Sequence, residues 1–196
     1  MDLTFGIPCH ERSAPSMIAI MSNTLVARLS ELAHREQQLA AAHILFRAGD
    51  PVRSLFVVVA GTVRLTRSLL HGSELTLQRA GPGAILAEAS LFADRYHCEG
   101  EVLEDSVVRV VPMRRLRAAF AKEPELARAW TQHLAQEVQR ARTHAEIVSL
   151  KTVSARVDAW MMMKDGPLPP KGQWRQVAAD IGVTPEALYR ELARRR

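Results

Sequence analysis

Near the C-terminus, Glu186 and Arg190 stand one helical turn apart behind Thr184 and Pro185, pairing a carboxylate acceptor with a guanidinium donor fork. Left to themselves they would make an i,i+4 surface pair worth only a few tenths of a kcal/mol. A second cluster lies in the middle of the chain, where Ala87-Glu88-Ala89-Ser90 is followed by His97-Cys98. The carboxylate of Glu88 is suited to accepting from a hydroxyl, while neutral imidazole and thiol carry no fixed charge. Two Cys/His neighbours, Cys9-His10 and His97-Cys98, match no zinc spacing, and Cys98 reads equally well as a small buried hydrophobe. The 2 cysteines exclude an iron–sulfur cluster held by four thiolates and any disulfide framework. His71, His97, Cys9 and Cys98 are conceivable haem ligands among 7 histidines, a number that invites chance matches. No metal site is assigned. No nucleophile elbow, phosphate-binding Gly-Lys-Ser/Thr loop or His-Glu-x-x-His helix is present, so no catalytic residues are expected and the protein reads as a non-enzyme.

Elements must position these groups. Residues 173–195 have the periodicity of two short helices hinged at Gly182, with Val177, Ala178 and Ile181 on one apolar stripe and Leu188 and Leu192 on the other. Gly182 supplies the left-handed conformation of a helix C-terminus, Thr184 can cap the next helix, and Pro185 and Glu186 suit its first turn. Such a helix-turn-helix would set the N-terminal face of its second helix in a DNA major groove. The bland alternative is two packed surface helices.

Upstream, residues 125–150 form a helix on which Leu134, Val138, Ala141, Ala145 and Val148 recur at steps of four and three, the seam of a coiled coil. Leu126 and Trp130 make a separate apolar patch, so this helix needs two surfaces to bury them. A further helix over 151–164, with Val153, Val157, Trp160 and Met161 inward and Met161–Met163 as core filler, leads to a Pro-rich loop at 165–170.

The first half reads as β-structure. Gly49-Asp50-Pro51 is a turn, 55–59 an apolar run, Gly61 a break and 62–66 an alternating strand. Leu75 and Leu77 alternate with polar residues, Gly81-Pro82-Gly83 turns, and 107–111 is a last strand stopped by Pro112 before a short helix over 114–120. Residues 23–38 are expected to be a helix, and 1–20, without periodicity, a dispensable disordered extension. The domain reading is therefore 1–20 extension, 21–124 β-roll, 125–150 dimerisation helix and 151–196 helix-turn-helix.

Composition fits. The chain has 196 residues, 47% of them hydrophobic, and a formal net charge of +5. From Lys151 onward there are nine basic and five acidic residues, so +4 of the excess falls on the part that would meet phosphate. With no apolar run of membrane length and no signal-peptide pattern, the expected location is cytoplasmic.

Gly49-Asp50-Pro51, the aromatic-apolar strand and Gly61-Thr62-Val63-Arg64-Leu65, together with Glu186-x-x-x-Arg190, resemble the CRP/FNR family of transcription regulators over about residues 25–195. The resemblance implies an α+β chain with an N-terminal double-stranded β-helix of jelly-roll type, a long dimerisation helix and a small C-terminal helix-turn-helix domain whose wing, expected after Arg195, is truncated. It implies a homodimer through Leu134, Val138, Ala141, Ala145 and Val148, duplex DNA as partner, and RNA polymerase as a further one. Glu186 and Arg190 would reach base edges, beside Thr184, Pro185 and Tyr189, with Arg194 on phosphate. It also places an effector pocket at Ala87, Glu88, Ala89, Ser90, His97, Cys98, Ala141 and Arg142. Cyclic-nucleotide-binding members carry Gly-Glu and then an Arg; here Ala87 replaces the Gly and His97 the Arg, and Ala141-Arg142 stand where base-contacting hydroxyls are expected. Imidazole does not replace a permanently charged fork, so cyclic AMP is not the expected effector and none is assigned. The competing readings are an effector-binding module acting through protein contacts and a haem or redox sensor.

Overall fold

The computed structural model describes residues 17–69, 72 and 74–195. Two four-stranded antiparallel sheets face one another in the N-terminal part. One has the order β1 (Arg35–Leu39), β8 (Ser106–Pro112), β3 (Ser54–Ala60), β6 (Ile85–Leu86); the other β2 (Ile44–Phe46), β7 (Glu99–Val102), β4 (Val63–Ser68), β5 (Glu74–Ala80). Apart from the β4–β5 hairpin, consecutive strands alternate between sheets, the double-stranded β-helix that short, evenly spaced strands build. Alternation fills the space between them: Phe46, Phe56, Val58, Val63, Leu65, Leu86, Val102, Val108 and Val110 are all buried in one cluster. Phe46 stacks on Phe56 at 5.5 Å and on Tyr96 at 4.3 Å between ring centres. Gly61 makes the β3–β4 turn at φ +81°, and a Cβ there would lie 2.1 Å from Ser106 Oγ, so no side chain fits.

Several boundaries differ from expectation. The first helix, α1 (Met17–Leu32), starts and ends early, and 35–38 belong to β1 instead. The segment Arg-Glu-Gln-Gln-Leu has no helical apolar stripe, and pairing along its whole length with β8 outweighs its helix propensity. Residues 17–20 are helical rather than part of a disordered extension; the rest of that extension, with Cys9 and His10, lies outside the described residues, as do His71 and Arg196. In β5, Leu75 and Leu77 are 48% and 40% exposed, because β5 is an edge strand and a bulge passes over Leu77 between the pairs Leu65–Gln78 and Thr66–Thr76.

After β8, Pro112 ends the strand and α2 (Met113–Lys122) follows, then α3 (Pro124–Ser149). Leu126 and Trp130 of α3 are buried, Trp130 tilting against Phe120 at 5.5 Å, and Arg28 of α1 pairs with Glu123 at 2.5 Å. The chain divides into two compact units after Gln132, inside α3, whereas the sequence reading set boundaries at either end of that helix.

The second unit holds the C-terminal part of α3 with α4 (Val153–Met163), α5 (Trp174–Asp180) and α6 (Pro185–Arg194) around Ile147, Val157, Trp160, Val177, Ala178, Ile181, Leu188 and Leu192. Thr152 caps α4 by accepting from the Ala155 amide at 3.1 Å. Arg156 then satisfies two helix ends at once, donating to Val148 and Leu150 carbonyls at 2.7 and 2.8 Å and to those of Ile181 and Gly182 at 3.2 and 3.0 Å. Of the three consecutive methionines only Met161 packs on the core. Met162 and Met163 are 74% and 40% exposed, because helical geometry turns neighbouring positions to different faces.

Candidate functional site

The helix-turn-helix is assembled by backbone chemistry. At the end of α5 the Val183 amide donates to the Ala178 carbonyl at 2.9 Å and Gly182, at φ +65°, to that of Ala179 at 3.1 Å, a Schellman closure. A Cβ on Gly182 would come 2.8 Å from Val148 Cγ1. Thr184 caps α6 by accepting from the Ala187 amide at 3.2 Å, with Pro185 in the first turn. Thr184, Glu186, Arg190 and Arg194 are exposed and Pro185 is half-buried. Tyr189 is also half-buried, its ring 5.5 Å from that of Trp174, so it braces α6 on α5 as well as bordering the outer face. Among the described residues no ion pair joins Glu186 to Arg190, and both are uncommitted. Arg194 does pair, with Glu191 at 2.7 Å. Glu191 is a buried carboxylate that also receives Arg195 at 2.8 Å, and Arg195 reaches Asp158 at 2.6 Å and Ser154, tying α6 to α4. Arg195 most strongly, then Ser154 and Arg194, hold the Glu191 carboxyl below the ordinary range.

On α3, Leu134 is half-buried, Val138 is 49% exposed, and Ala141, Arg142 and Ala145 are exposed. Val148 is half-buried and directed at Gly182, so the last seam position already has a neighbour in its own unit. The adjacent Ile147, not singled out from the sequence, is the α3 residue buried in that unit's core.

In the β-roll, Ala87 adopts φ +66°, the left-handed conformation that glycine would take without strain, and it leads into a 3-10 turn over Glu88–Ser90. Ala87, Ser90 and Cys98 are buried, Glu88 is half-buried, and Ala89 and His97 are exposed. Ser90 Oγ lies 3.4 Å from His97 Nδ1. Partial burial and the nearby Arg67 lower the His97 pKa, and burial, then Glu88, raises that of the Cys98 thiol, so both stay uncharged at neutral pH. Arg67, which the sequence reading missed, donates from Nε to the His97 carbonyl at 3.3 Å. Its signal is structural: Arg67 follows Thr66, which registers with Glu99 of β7, so the pairing of two strands far apart in the chain carries it toward His97. Arg95 is committed elsewhere, donating to the Gly49 carbonyl at 2.6 Å and so fastening the Gly-Asp-Pro turn. Ala141 and Arg142 belong to the second unit.

The cyclic nucleotide-binding domain family matches residues 36–123, the whole span from β1 to the end of α2. The chain is 24% identical over 134 residues to the transcriptional activator protein anr of Pseudomonas aeruginosa, covering 68% of this chain and 55% of that protein. It is 29% identical over 121 residues to the cyclic AMP receptor protein of Thermus thermophilus, covering 61% of this chain and 56% of the relative. Over these spans the chain is similar to regulators of the CRP/FNR type. In fold, the family likeness extends through the helices: the structure of FixK2 from Bradyrhizobium japonicum superposes with a TM-score of 0.65 at 23% identity, covering 82% of this chain and 83% of that one. The global regulator CLP of Xanthomonas campestris, described as responsive to c-di-GMP, gives 0.62 at 19% identity, covering 88% and 90%. The chain spans about half the length of the curated relatives it matches.

Proposed function

We propose that this chain is a DNA-binding transcription regulator of the CRP/FNR type, acting as a homodimer and not answering to cyclic AMP. The observation that carries the reading is α6. A helix capped by Thr184, locked to α5 by the Gly182 closure and anchored to α4 through Arg195 offers an exposed carboxylate and an exposed guanidinium, Glu186 and Arg190, that no neighbour uses. Preorganised and uncommitted groups at the N-terminal half of a recognition helix are what direct readout of base edges requires, the carboxylate accepting from cytosine and the guanidinium donating to guanine. Thr184 and Pro185 would border the groove, Tyr189 would brace the helix, and Arg194 would lie on phosphate while retaining its link to Glu191. The basic excess of the second unit supplies the non-specific attraction.

Second-copy pairing is supported by the exposed Val138 among Leu134, Ala141 and Ala145 on α3. Within the roll, the effector pocket is assigned to Ala87, Glu88, Ala89, Ser90, His97 and Cys98, with Arg67. Its neutral His97 lacks the fixed charge that a cyclic phosphate needs. RNA polymerase and a cytoplasmic, non-catalytic role follow from the same reading; no helix among the described residues is long and apolar enough to cross a membrane.

The test is a salt titration of binding to a selected palindromic duplex and to a scrambled one. Glu186→Ala and Arg190→Ala should each cost roughly 1–3 kcal/mol on the selected site and flatten preference at one base position. Arg194→Ala should weaken both duplexes alike and reduce the salt slope by about one. Equal losses on both duplexes for Glu186 and Arg190 would make them scaffold residues, and absence of binding by the unaltered protein would favour a module acting through protein contacts.

A further inference from the structure

At the edge of the roll, β1 breaks the alternation that fills its core. Arg35 and Gln37 register with Val110 and Val108, which register in turn with Phe56 and Val58, so both polar residues stand on the core-facing side of their sheet. Glu36, between them, registers with Arg109 and pairs with it at 2.9 Å on the opposite side. Where inward apolar side chains would have continued the core there is instead a cleft of about 430 Å³. Arg35 and Arg53 line it, together with the stacked and largely buried Phe46, Phe56 and Tyr96.

The arginines of this cleft differ from most others of the roll. Arg64 pairs with Glu101, Arg109 with Glu36, and Arg95 with the Gly49 carbonyl. The side chains of Arg35 and Arg53 have no ion pair or hydrogen bond among the described residues. The acid of the lining, Asp50, is occupied in its own turn, accepting from the Arg47 amide at 3.1 Å. Tyr96 is held rigidly, its hydroxyl donating to the Ser54 carbonyl at 2.6 Å and its amide bonded to the Asp50 carbonyl at 3.0 Å.

We propose that this cleft is a binding site for a small planar organic anion, an aromatic carboxylate in chemical class, distinct from the pocket at Glu88 and His97. A carboxylate matches the guanidinium fork of Arg35 or Arg53, and a flat ring suits a lining whose apolar part is largely fixed aromatic side chains. The size agrees, since small-molecule sites are commonly about 300–1,000 Å³. An inward charge on an edge strand can also serve to prevent edge-to-edge sheet pairing. That role would explain Arg35, but not an uncommitted Arg53 in the same lining.

Benzoate is the probe, titrated calorimetrically into the full chain, with inorganic phosphate as the ring-free control. Saturable benzoate binding is expected, at least tenfold weaker in Arg35→Gln and in Arg53→Gln, unchanged in His97→Arg, and accompanied by much weaker phosphate binding. In the unaltered protein the ring resonances of Phe46 and Tyr96 should shift on titration, a readout that does not depend on any variant folding. No saturable heat, unchanged affinity in both glutamine variants, phosphate binding as tight as benzoate, or resonance shifts confined to other residues would overturn the proposal. An Arg35→Gln protein that binds benzoate normally but self-associates would replace it with edge protection.

Discussion

Glu191 shows how one side chain can join function to stability. Buried on the same helix as Glu186 and Arg190, it is ionised because Arg195 first, then Ser154 and Arg194, hold its pKa below the ordinary range. A carboxyl depressed on folding stabilises the native state while ionised, above its unfolded value, and that contribution is lost as pH falls through the folded value. Melting curves of the protein and of Glu191→Gln should therefore differ at neutral pH and converge as the pH drops below about 4, the ordinary carboxylate range; parallel curves throughout would show that the carboxylate adds nothing. His97 bears on ligand choice. With its pKa lowered by burial and Arg67, the imidazole is neutral at pH 7, and no calorimetric signal is expected with cyclic AMP. His97→Arg should gain affinity for it by about 1.5–3 kcal/mol, one charge-assisted hydrogen bond, and micromolar binding by the unaltered protein would refute this reading of the pocket.

At the scale of elements, the second unit depends on how its helix ends are satisfied. Arg156 gives hydrogen bonds to carbonyls at the ends of both α3 and α5. Truncation to alanine would strand them, and Arg156→Ala should cost about 2–4 kcal/mol, more than one lost hydrogen bond and less than the sum of four. Thr184→Ala removes one cap acceptor and should cost about 1 kcal/mol. Gly182→Ala combines a left-handed backbone with a methyl 2.8 Å from Val148 Cγ1, and should cost roughly 2–3 kcal/mol. Denaturant midpoints rank the three variants; Thr184→Ala proving the most damaging would show that the cap, not the turn, organises the pair of helices.

For the whole molecule, the reading stands or falls with the second copy. The proposed homodimer would bury Val138, which is 49% exposed on α3. Val138→Glu should convert dimer to monomer in sedimentation equilibrium and, because half-sites are bound together, weaken binding to a palindromic duplex far more than to a single half-site. An unaltered protein that sediments as a monomer at micromolar concentration would remove the seam from the account. Deleting residues 1–16, upstream of α1, should leave the melting temperature unchanged, and a drop of more than a few degrees would show that this segment packs on the body.

Local chemistry made much of this legible without coordinates. Thr184, Pro185 and Gly182 each have a backbone preference that acts within a few residues, so the helix-turn-helix could be read with its caps in place. Gly49-Asp50-Pro51 and Gly61 likewise set the turns of the roll, since positive φ and a fixed proline φ are properties of the residue itself. Where partners far along the chain compete, sequence pattern was insufficient. Residues 35–38 became strand because β8 supplies a full ladder, and Leu75 and Leu77 lie exposed because β5 is an edge strand with a bulge at Leu77. The register of β4 on β7 brought Arg67 to His97, while Arg95, nearer in sequence, was drawn to Gly49. Arg35 facing an aromatic cleft is of this kind too. The sequence by itself determined the turns, the caps and the alternation; only the tertiary structure decided which charges were left uncommitted, because a guanidinium's partner is a matter of long-range packing and not of its neighbours in the chain.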